Sequence, residues 1–147
     1  MSKKRVIISA CLLGEVCRYD GKTKKVNAVV DAYKEYEIIP FCPEAPLFGT
    51  PRERISVVEV GSEQRIITDE SRVDVTQKLL QEIDTFLESQ KDIDAIVLKS
   101  KSPSCGYGTT PILNENREVI KYGNGIAPLR FQHYFPDVAI FDENGFS

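Results

Sequence analysis

The chain has 147 residues, 41% of them hydrophobic and 28% charged, with a formal net charge of -3 at neutral pH. This length suits one domain with an ordinary buried core, so we expect a single domain spanning residues 1–147. The net charge gives no basic bias, so we expect no nucleic-acid partner, and no apolar run approaches the roughly 20 residues of a membrane span. The N-terminus shows no secretory leader pattern, which predicts a cytoplasmic protein.

The first strand is predicted at Arg5–Ser9, a short apolar run of the kind that is buried in a sheet. A loop containing Cys11, Gly14 and Cys17 follows, because glycine and polar residues interrupt the pattern there. Asn27 then has a suitable side chain for capping a short helix. The sequence therefore predicts a strand that delivers a cysteine to the loop behind it.

The second strand, predicted at Glu37–Phe41, repeats this arrangement, because Cys42 and Glu44 follow it closely. From Cys42 to Arg52 the chain holds three prolines and one glycine in eleven residues. Proline lacks a backbone donor and glycine favours turns. We therefore expect this stretch to be a loop and not a helix.

Two small hairpins are predicted at the periphery of the fold. In the first, Ile55–Glu59 and Arg65–Thr68 alternate apolar and polar residues around Gly61. In the second, Thr110–Asn114 and Glu118–Tyr122 flank a short polar turn. Neither hairpin carries residues that point to chemistry.

The clearest helix is predicted at Asp74–Gln90, where apolar residues recur at helical spacing and Asp74 resembles a capping residue. It precedes another buried strand, as a crossover between parallel strands requires. A later helix is expected to end at Phe135, with Pro128 in its first turn. A final strand is predicted at Asp137–Phe141.

The third buried strand is predicted at Ala95–Leu98, and the loop of small polar residues behind it contains Cys105. Open α/β folds keep their ligand sites at the carboxyl edge of the sheet, where such loops lie. We therefore predict an α/β fold with an open, mostly parallel sheet flanked by helices (Rossmann-like) and small peripheral hairpins. Cys11, Cys42 and Cys105 should meet at one edge of that sheet.

A shared site for these three cysteines competes with a simpler explanation, since free cysteines are commonly small buried core residues. Their positions beyond strand ends, among glycine, serine and proline, favour the shared site. Zinc is possible, but the close Cys-x-x-Cys pairs of structural zinc sites are absent, as is the ferredoxin spacing. A cluster on three cysteines would leave one iron open to substrate. Cys17 remains open between a fourth ligand, a resolving thiol and a packing residue.

Groups able to move protons lie near the cysteines in the sequence. Glu44, two residues from Cys42, is a candidate general acid or base, although a loop glutamate is otherwise a solvated surface group. Ser102 and Ser104 could each orient a ligand or simply close the turn. Basic residues near these motifs either offset thiolate charge or lie on the surface, and the lone histidine is expected to be a packing or surface residue. These residues are Lys99, Lys101, Arg18, Arg52, Arg54 and His133.

Several motifs occur in order along nearly the whole chain. They are Ser9–Gly14 with Cys17–Gly21, Cys42–Glu44 with Thr50–Arg52, Leu98–Gly106, and Gly123–Ile126. In these motifs the chain resembles the thiouracil desulfidase-like family of bacterial proteins, long treated as a domain of unknown function. The stretch Ala45–Gly49 departs from the more glycine-rich pattern of that family, which leaves the identity of the substrate open.

The resemblance implies an enzyme, a non-redox desulfidase whose [4Fe-4S] cluster is held by Cys11, Cys42 and Cys105. The open iron would take the sulfur of a thiolated pyrimidine or a similar small thiocarbonyl compound, and sulfur would leave as sulfide. Glu44 and Ser102 would serve proton transfer and positioning. The alternative, from another class, is a non-catalytic metal- or cluster-binding module that senses redox state.

Overall fold

The computed structural model describes residues 3–15, 25–49 and 52–146, so the expectations for Cys17, Arg18 and Thr50 fall outside the described residues. The helices and strands, in chain order, are β1 (Arg5–Ser9), α1 (Asn27–Ala32), β2 (Glu37–Phe41), α2 (Ala45–Phe48), β3 (Ile55–Val60), β4 (Glu63–Thr68), α3 (Thr76–Glu88), β5 (Ala95–Leu98), β6 (Thr110–Leu113), β7 (Val119–Gly123), α4 (Ile126–Tyr134) and β8 (Ile140–Asp142). None of the described helices is long and apolar enough to cross a membrane.

The first sheet contains the three strands that precede the cysteines. Its order is β2-β1-β5-β8, and each neighbouring pair is parallel. β1 and β5 occupy the middle of the sheet, which explains their uninterrupted apolar runs, since central parallel strands are buried on both faces. The mixed α/β fold with a mostly parallel sheet is therefore confirmed. Only the last strand differs in position, because β8 begins at Ile140 and not at Asp137.

The two predicted hairpins are present, and they join into a second sheet. β3 pairs with β4 and β6 pairs with β7 in antiparallel register. β3 and β6 are parallel neighbours, with Val57 opposite Ile112, so the strand order is β4-β3-β6-β7. The alternation of apolar and polar residues predicts each hairpin by itself. It carries no sign of a pairing between strands so far apart in the sequence.

Helix α3 packs against both sheets and connects their cores. Leu79, near its start, packs with Val57 and Ile112 of the second sheet. Ile83 and Leu87, on the following turns, pack in the cluster that covers one face of the first sheet. The apolar stripe that predicts this helix is thus long enough to pack against both sheets.

Two local predictions are wrong. Asn27 is the first helical residue of α1 and caps nothing, since Val26 occupies the N-cap position and no side chain caps that end. The stretch behind Cys42 contains the single-turn helix α2, although its prolines predict a loop. Pro46 is tolerated there because the N–H groups of a first turn have no helical partner, and Gly49 ends the turn with a φ of 80°.

Asp74 stabilises the start of α3. Its carboxylate accepts a hydrogen bond from Arg65 Nε at 2.7 Å and another from the backbone N–H of Thr76 at 3.0 Å. Partial burial acts to raise the pKa of Asp74, but these donors outweigh it and lower the pKa to about 2. Because the folded-state pKa is lowered, the stabilisation is complete above about pH 4 and is lost as the pH falls towards 2.

We therefore expect Asp74→Asn to lower the free energy of unfolding by about 1 kcal/mol at neutral pH, a value reduced for solvent screening at a half-exposed carboxylate. The difference from wild type should shrink as the pH approaches the folded-state pKa of about 2. Urea unfolding across this pH range measures it, with the exposed Asp31→Asn as control. An equal difference at every pH would show that the charge of Asp74 is not what stabilises the helix.

Candidate active site

The structure brings all three predicted cysteines to one cavity. Cys11 lies in a short 3₁₀ turn directly after β1, Cys42 directly follows β2, and Cys105 lies in the loop after β5. These strands are parallel neighbours, so their carboxyl ends meet at one edge of the first sheet. All three cysteines line a cavity of about 260 Å³.

The other two predicted site residues, Glu44 and Ser102, line the same cavity. Its wall also contains apolar side chains from both sheets, Phe41 and Ile55. Four basic residues complete the wall: Arg52, Arg54, Lys99 and Lys101. His133 is exposed on α4, where its ring packs edge-on against Tyr134, as expected for a surface residue.

The loop that carries Cys105 is shaped by its own serine. The Ser102 hydroxyl oxygen accepts hydrogen bonds from the backbone N–H groups of Cys105 at 3.0 Å and Ser104 at 3.2 Å. The Ser102 carbonyl in turn accepts hydrogen bonds from Gly106 N at 2.9 Å and Thr110 Oγ1 at 2.7 Å. Ser102 therefore closes the turn around Cys105. Its own hydroxyl hydrogen is free of the backbone, so the hydroxyl can also donate.

The start of α4 holds this loop from behind. Ile126 N donates a hydrogen bond to the Pro103 carbonyl at 3.1 Å, and Ala127 N donates to the Ser104 carbonyl at 2.8 Å. These contacts satisfy N–H groups that have no partner within the helix. Gly125 lies so close to the loop that a Cβ there would be 2.6 Å from the Pro103 oxygen. The glycine-rich stretch before α4 thus serves the cysteine loop, a role that its sequence alone does not indicate.

We expect Gly125→Ala to displace the Cys105 loop, since a methyl group would also approach the backbone carbon of Ser104 to 2.8 Å. Forcing extra volume into a packed region typically costs about 1–3 kcal/mol. Thermal unfolding should show this loss. Gly145→Ala is the matched control, because a Cβ at that glycine would meet no atom within 4 Å. Equal melting temperatures for the two variants would contradict the close approach.

Glu44 is held from two sides. Arg52 donates hydrogen bonds from Nη2 and Nε to Glu44 Oε1, at 3.2 and 3.4 Å. Ser104 donates from its hydroxyl to Glu44 Oε2 at 2.7 Å. The Glu44 and Arg52 side chains are only 12% and 6% exposed, so this ion pair in the cavity wall is largely shielded from solvent.

Lys99 also has an acidic partner, which no motif in the sequence indicates. Its Nζ lies 2.9 Å from Glu143 Oε2, just beyond β8. Glu143 further accepts hydrogen bonds from the Ser100 backbone N–H and hydroxyl, both at 2.8 Å. Burial acts to raise the pKa of Glu143, but the hydrogen bonds from Lys99 and Ser100 outweigh it and lower the pKa. Glu143 thereby anchors the start of the Cys105 loop to the end of the sheet.

The thiol of Cys105 lies in an environment that disfavours its free anion. Its pKa is raised to about 12, mainly because the side chain is buried. The negative charges of Cys42 and Glu44 act in the same direction, whereas hydrogen bonds from the Ser9 and Ser102 hydroxyls act against it. A thiolate here needs a positive partner, and a coordinated metal supplies that charge.

The chemistry of the donor set in this cavity suits an iron–sulfur cluster. Within the described ranges, no three His, Cys, Asp or Glu side chains stand close enough together to hold one ion. In a [4Fe-4S] cluster each cysteine binds a different iron, so its ligands stand farther apart than those of one ion. Three soft thiol ligands around one cavity with basic side chains in its wall fit such a cluster; they are Cys11, Cys42 and Cys105.

Comparison with known proteins supports this interpretation. The uncharacterized protein YbbK of Bacillus subtilis (strain 168) is 31% identical over 115 residues, which cover 70% of this chain and 74% of YbbK. The solved structure of the [4Fe-4S]-dependent thiouracil desulfidase TudS matches with a TM-score of 0.74 and 31% identity, covering 97% of this chain and 92% of TudS. The family model described as 2-thiouracil desulfurase matches residues 6–143. The chain therefore belongs to the 2-thiouracil desulfurase family.

Proposed function

We propose that this protein is a [4Fe-4S]-dependent, non-redox desulfidase that removes sulfur as sulfide from a thiolated pyrimidine or a similar small thiocarbonyl compound. Cys11, Cys42 and Cys105 are the proposed cluster ligands. The observation that carries the proposal is the position of Glu44, a largely buried carboxylate in the wall of the cavity that the three cysteines line. Family membership and the likeness to TudS support the same reaction.

When bound, the cluster would supply a Lewis-acidic iron that favours the build-up of negative charge on the substrate's sulfur. The reaction replaces a C=S bond with a C=O bond: water adds to the carbon, the C–S bond breaks, and sulfur leaves as hydrosulfide. No electron is gained or lost overall. The attacking water loses both of its protons: one leaves on the sulfur as hydrosulfide, and the other is released to solvent, so a group in the protein must accept and pass on protons at the water and at the departing sulfur.

Glu44 is the proposed acid–base group. Its carboxylate lines the cavity; Oε1 accepts two hydrogen bonds from Arg52 and Oε2 accepts one from Ser104, which leaves Oε2 able to accept a further donor. Ser102 is the proposed positioning group. Its oxygen accepts two backbone N–H groups, which leaves its hydroxyl hydrogen to donate to the substrate or to the Cys105 sulfur.

The size of the cavity supports a small substrate. Its volume of about 260 Å³ is slightly below the usual range of ligand pockets, roughly 300–1,000 Å³. Phe41 and Ile55 provide apolar surface, while Arg54 and Lys101 provide donors. A single heterocyclic ring with polar edges suits this combination.

The non-catalytic alternative, a redox-sensing module, fits the site less well. A cluster that only braces loops is expected to have closed coordination, and neither bracing nor sensing calls for a carboxylate in the cavity wall. Desolvating Glu44 and Arg52 costs free energy that packing alone does not require, since a buried ion pair is often no more stable than an apolar contact of the same size. The pair is better explained by chemistry at the cavity.

Sulfide release from 2-thiouracil and 4-thiouracil tests the proposal. Protein purified without oxygen and loaded with cluster should convert either compound to the corresponding oxo-pyrimidine with one sulfide per turnover. Loaded protein that releases no sulfide from either compound would overturn the assignment for this class of substrate. The matched control is the same protein after removal of iron by a chelator, which should be inactive.

A further inference from the structure

The Glu44 side chain connects the two loops that carry Cys42 and Cys105. It belongs to the first loop, two residues behind Cys42, and its Oε2 accepts the Ser104 hydroxyl of the second loop at 2.7 Å. Ser104 is fully buried and lies outside the cavity wall, directly before Cys105. The carboxylate thus stands between the cavity on one side and a buried donor on the other.

Arg52 fixes the other carboxylate oxygen. Two of its nitrogens point to Glu44 Oε1, and its Nη1 donates to the Gly49 carbonyl at 3.0 Å. The guanidinium therefore connects the end of α2 to Glu44. The Arg52 side chain is only 6% exposed. A planar group with several fixed donors orients a carboxylate more tightly than an ammonium group does.

We propose that Arg52 and Ser104 are positioning residues that hold the Glu44 carboxylate at the cavity wall in the orientation that the reaction uses. This inference rests on the proposed function. Neither residue needs to touch the substrate, because Arg52 acts on Oε1 and Ser104 acts on Oε2. Rotation of the Glu44 carboxylate about its Cγ–Cδ bond would therefore break at least one of these hydrogen bonds.

The competing explanation is purely structural, since Arg52 also ties Gly49 and could simply stabilise the turn after α2. The two explanations differ in one measurable respect. If Arg52 acts through Glu44, its removal matters only while the carboxylate is present. If it stabilises the turn, its removal costs the same whether residue 44 is Glu or Gln.

A double-mutant cycle on the cluster-loaded enzyme separates them. We expect Arg52→Met to lower kcat by about 100-fold, the order of loss that follows from misplacing a reacting group, with KM changed by less than about threefold. In the Glu44→Gln background, Arg52→Met should lower kcat by less than about threefold more. Ser104→Ala should behave in the same way with a smaller loss. Equal losses in both backgrounds would overturn the proposal.

Two further variants sharpen the cycle. Arg52→Ala leaves space for a guanidinium ion, so added methylguanidinium should restore at least part of kcat, whereas potassium chloride at the same ionic strength should not. Arg130→Met is the matched control, because it removes an arginine–carboxylate pair, with Asp84 at 2.7 Å, that lies outside the cavity. It should leave kcat unchanged.

A readout without turnover keeps this inference separate from the proposed function. In cluster-free protein, the urea midpoints of Arg52→Met, Glu44→Gln and the double variant report the coupling of the two side chains. We expect the urea midpoint of the double variant to fall by less than the sum of the decreases in the two single variants. Additive decreases in the midpoint would overturn the positioning role even if the wild type releases sulfide. If wild-type protein carries its cluster but releases no sulfide, the proposed function is overturned. The coupling between Arg52 and Glu44 is still measured, because the urea midpoints do not depend on turnover.

Discussion

Replacing Cys11, Cys42 or Cys105 with alanine is expected to abolish both cluster retention and sulfide release. Wild type prepared without oxygen should contain about four irons and about four acid-labile sulfides per chain, whereas each variant should contain almost none. The reason is that each cysteine would hold a different iron, so no remaining thiol can replace the one removed. The Cys105 variant also loses a ligand whose thiolate is disfavoured without a metal, because burial raises its pKa to about 12.

The matched control is Cys17→Ala, which should retain iron, sulfide and activity if three cysteines suffice. Iron and sulfide analysis, together with the visible absorption of the cluster, measures the outcome, and circular dichroism checks that each variant is folded. Stoichiometric zinc without acid-labile sulfide in the wild type would contradict the cluster assignment. Loss of iron in Cys17→Ala as well would instead make Cys17 a fourth ligand and close the coordination that the proposed reaction needs open.

The sequence predicts the cavity well because its chemistry follows from the ends of three buried strands. β1, β2 and β5 are short apolar runs, and each is followed by a cysteine at the point where small and polar residues begin. Once such strands are parallel neighbours, their ends must meet at one edge. Cys11, Cys42 and Cys105 therefore share a cavity with no need for information about distant packing.

The parts that were not predicted depend on contacts between distant residues. Gly125 meets the Pro103 carbonyl, Glu143 anchors Ser100, and β3 pairs with β6, and none of these contacts leaves a periodic pattern in the sequence. The turn α2 was missed for another reason. Proline content argues against a helix interior, but a single turn consists only of positions where proline is tolerated.

The stretch in which the chain differs from the family it resembles, Ala45–Gly49, forms helix α2 and the glycine that ends it. It lies between Glu44 and Arg52 in the sequence. Phe48 of this turn packs against the core of the second sheet. Arg52 also donates from Nη1 to the Gly49 carbonyl at 3.0 Å, so the end of this turn contacts the same guanidinium that pairs with Glu44.

Glu44→Gln is expected to lower kcat by about 10²–10⁴-fold, equivalent to roughly 3–5 kcal/mol of activation free energy, which is the usual contribution of a general acid or base. Glutamine keeps the size of the side chain and can still accept the Ser104 hydroxyl on its amide oxygen. It cannot exchange a proton with water or with the leaving fragment. The loss should therefore appear in turnover, while iron and sulfide content stay at the wild-type level.

The structural explanation of Glu44 predicts a different result. If the carboxylate only pairs with Arg52, glutamine leaves a buried guanidinium without its anion, and the main effect should be a lower unfolding midpoint. Measuring the midpoint and kcat on the same preparations distinguishes the two effects, with the exposed Glu35→Gln as control. A Gln variant with a full cluster and wild-type turnover would exclude Glu44 as the acid–base group. Ser102 would then be the remaining candidate, because it is the other predicted site residue whose hydroxyl can reach the cavity.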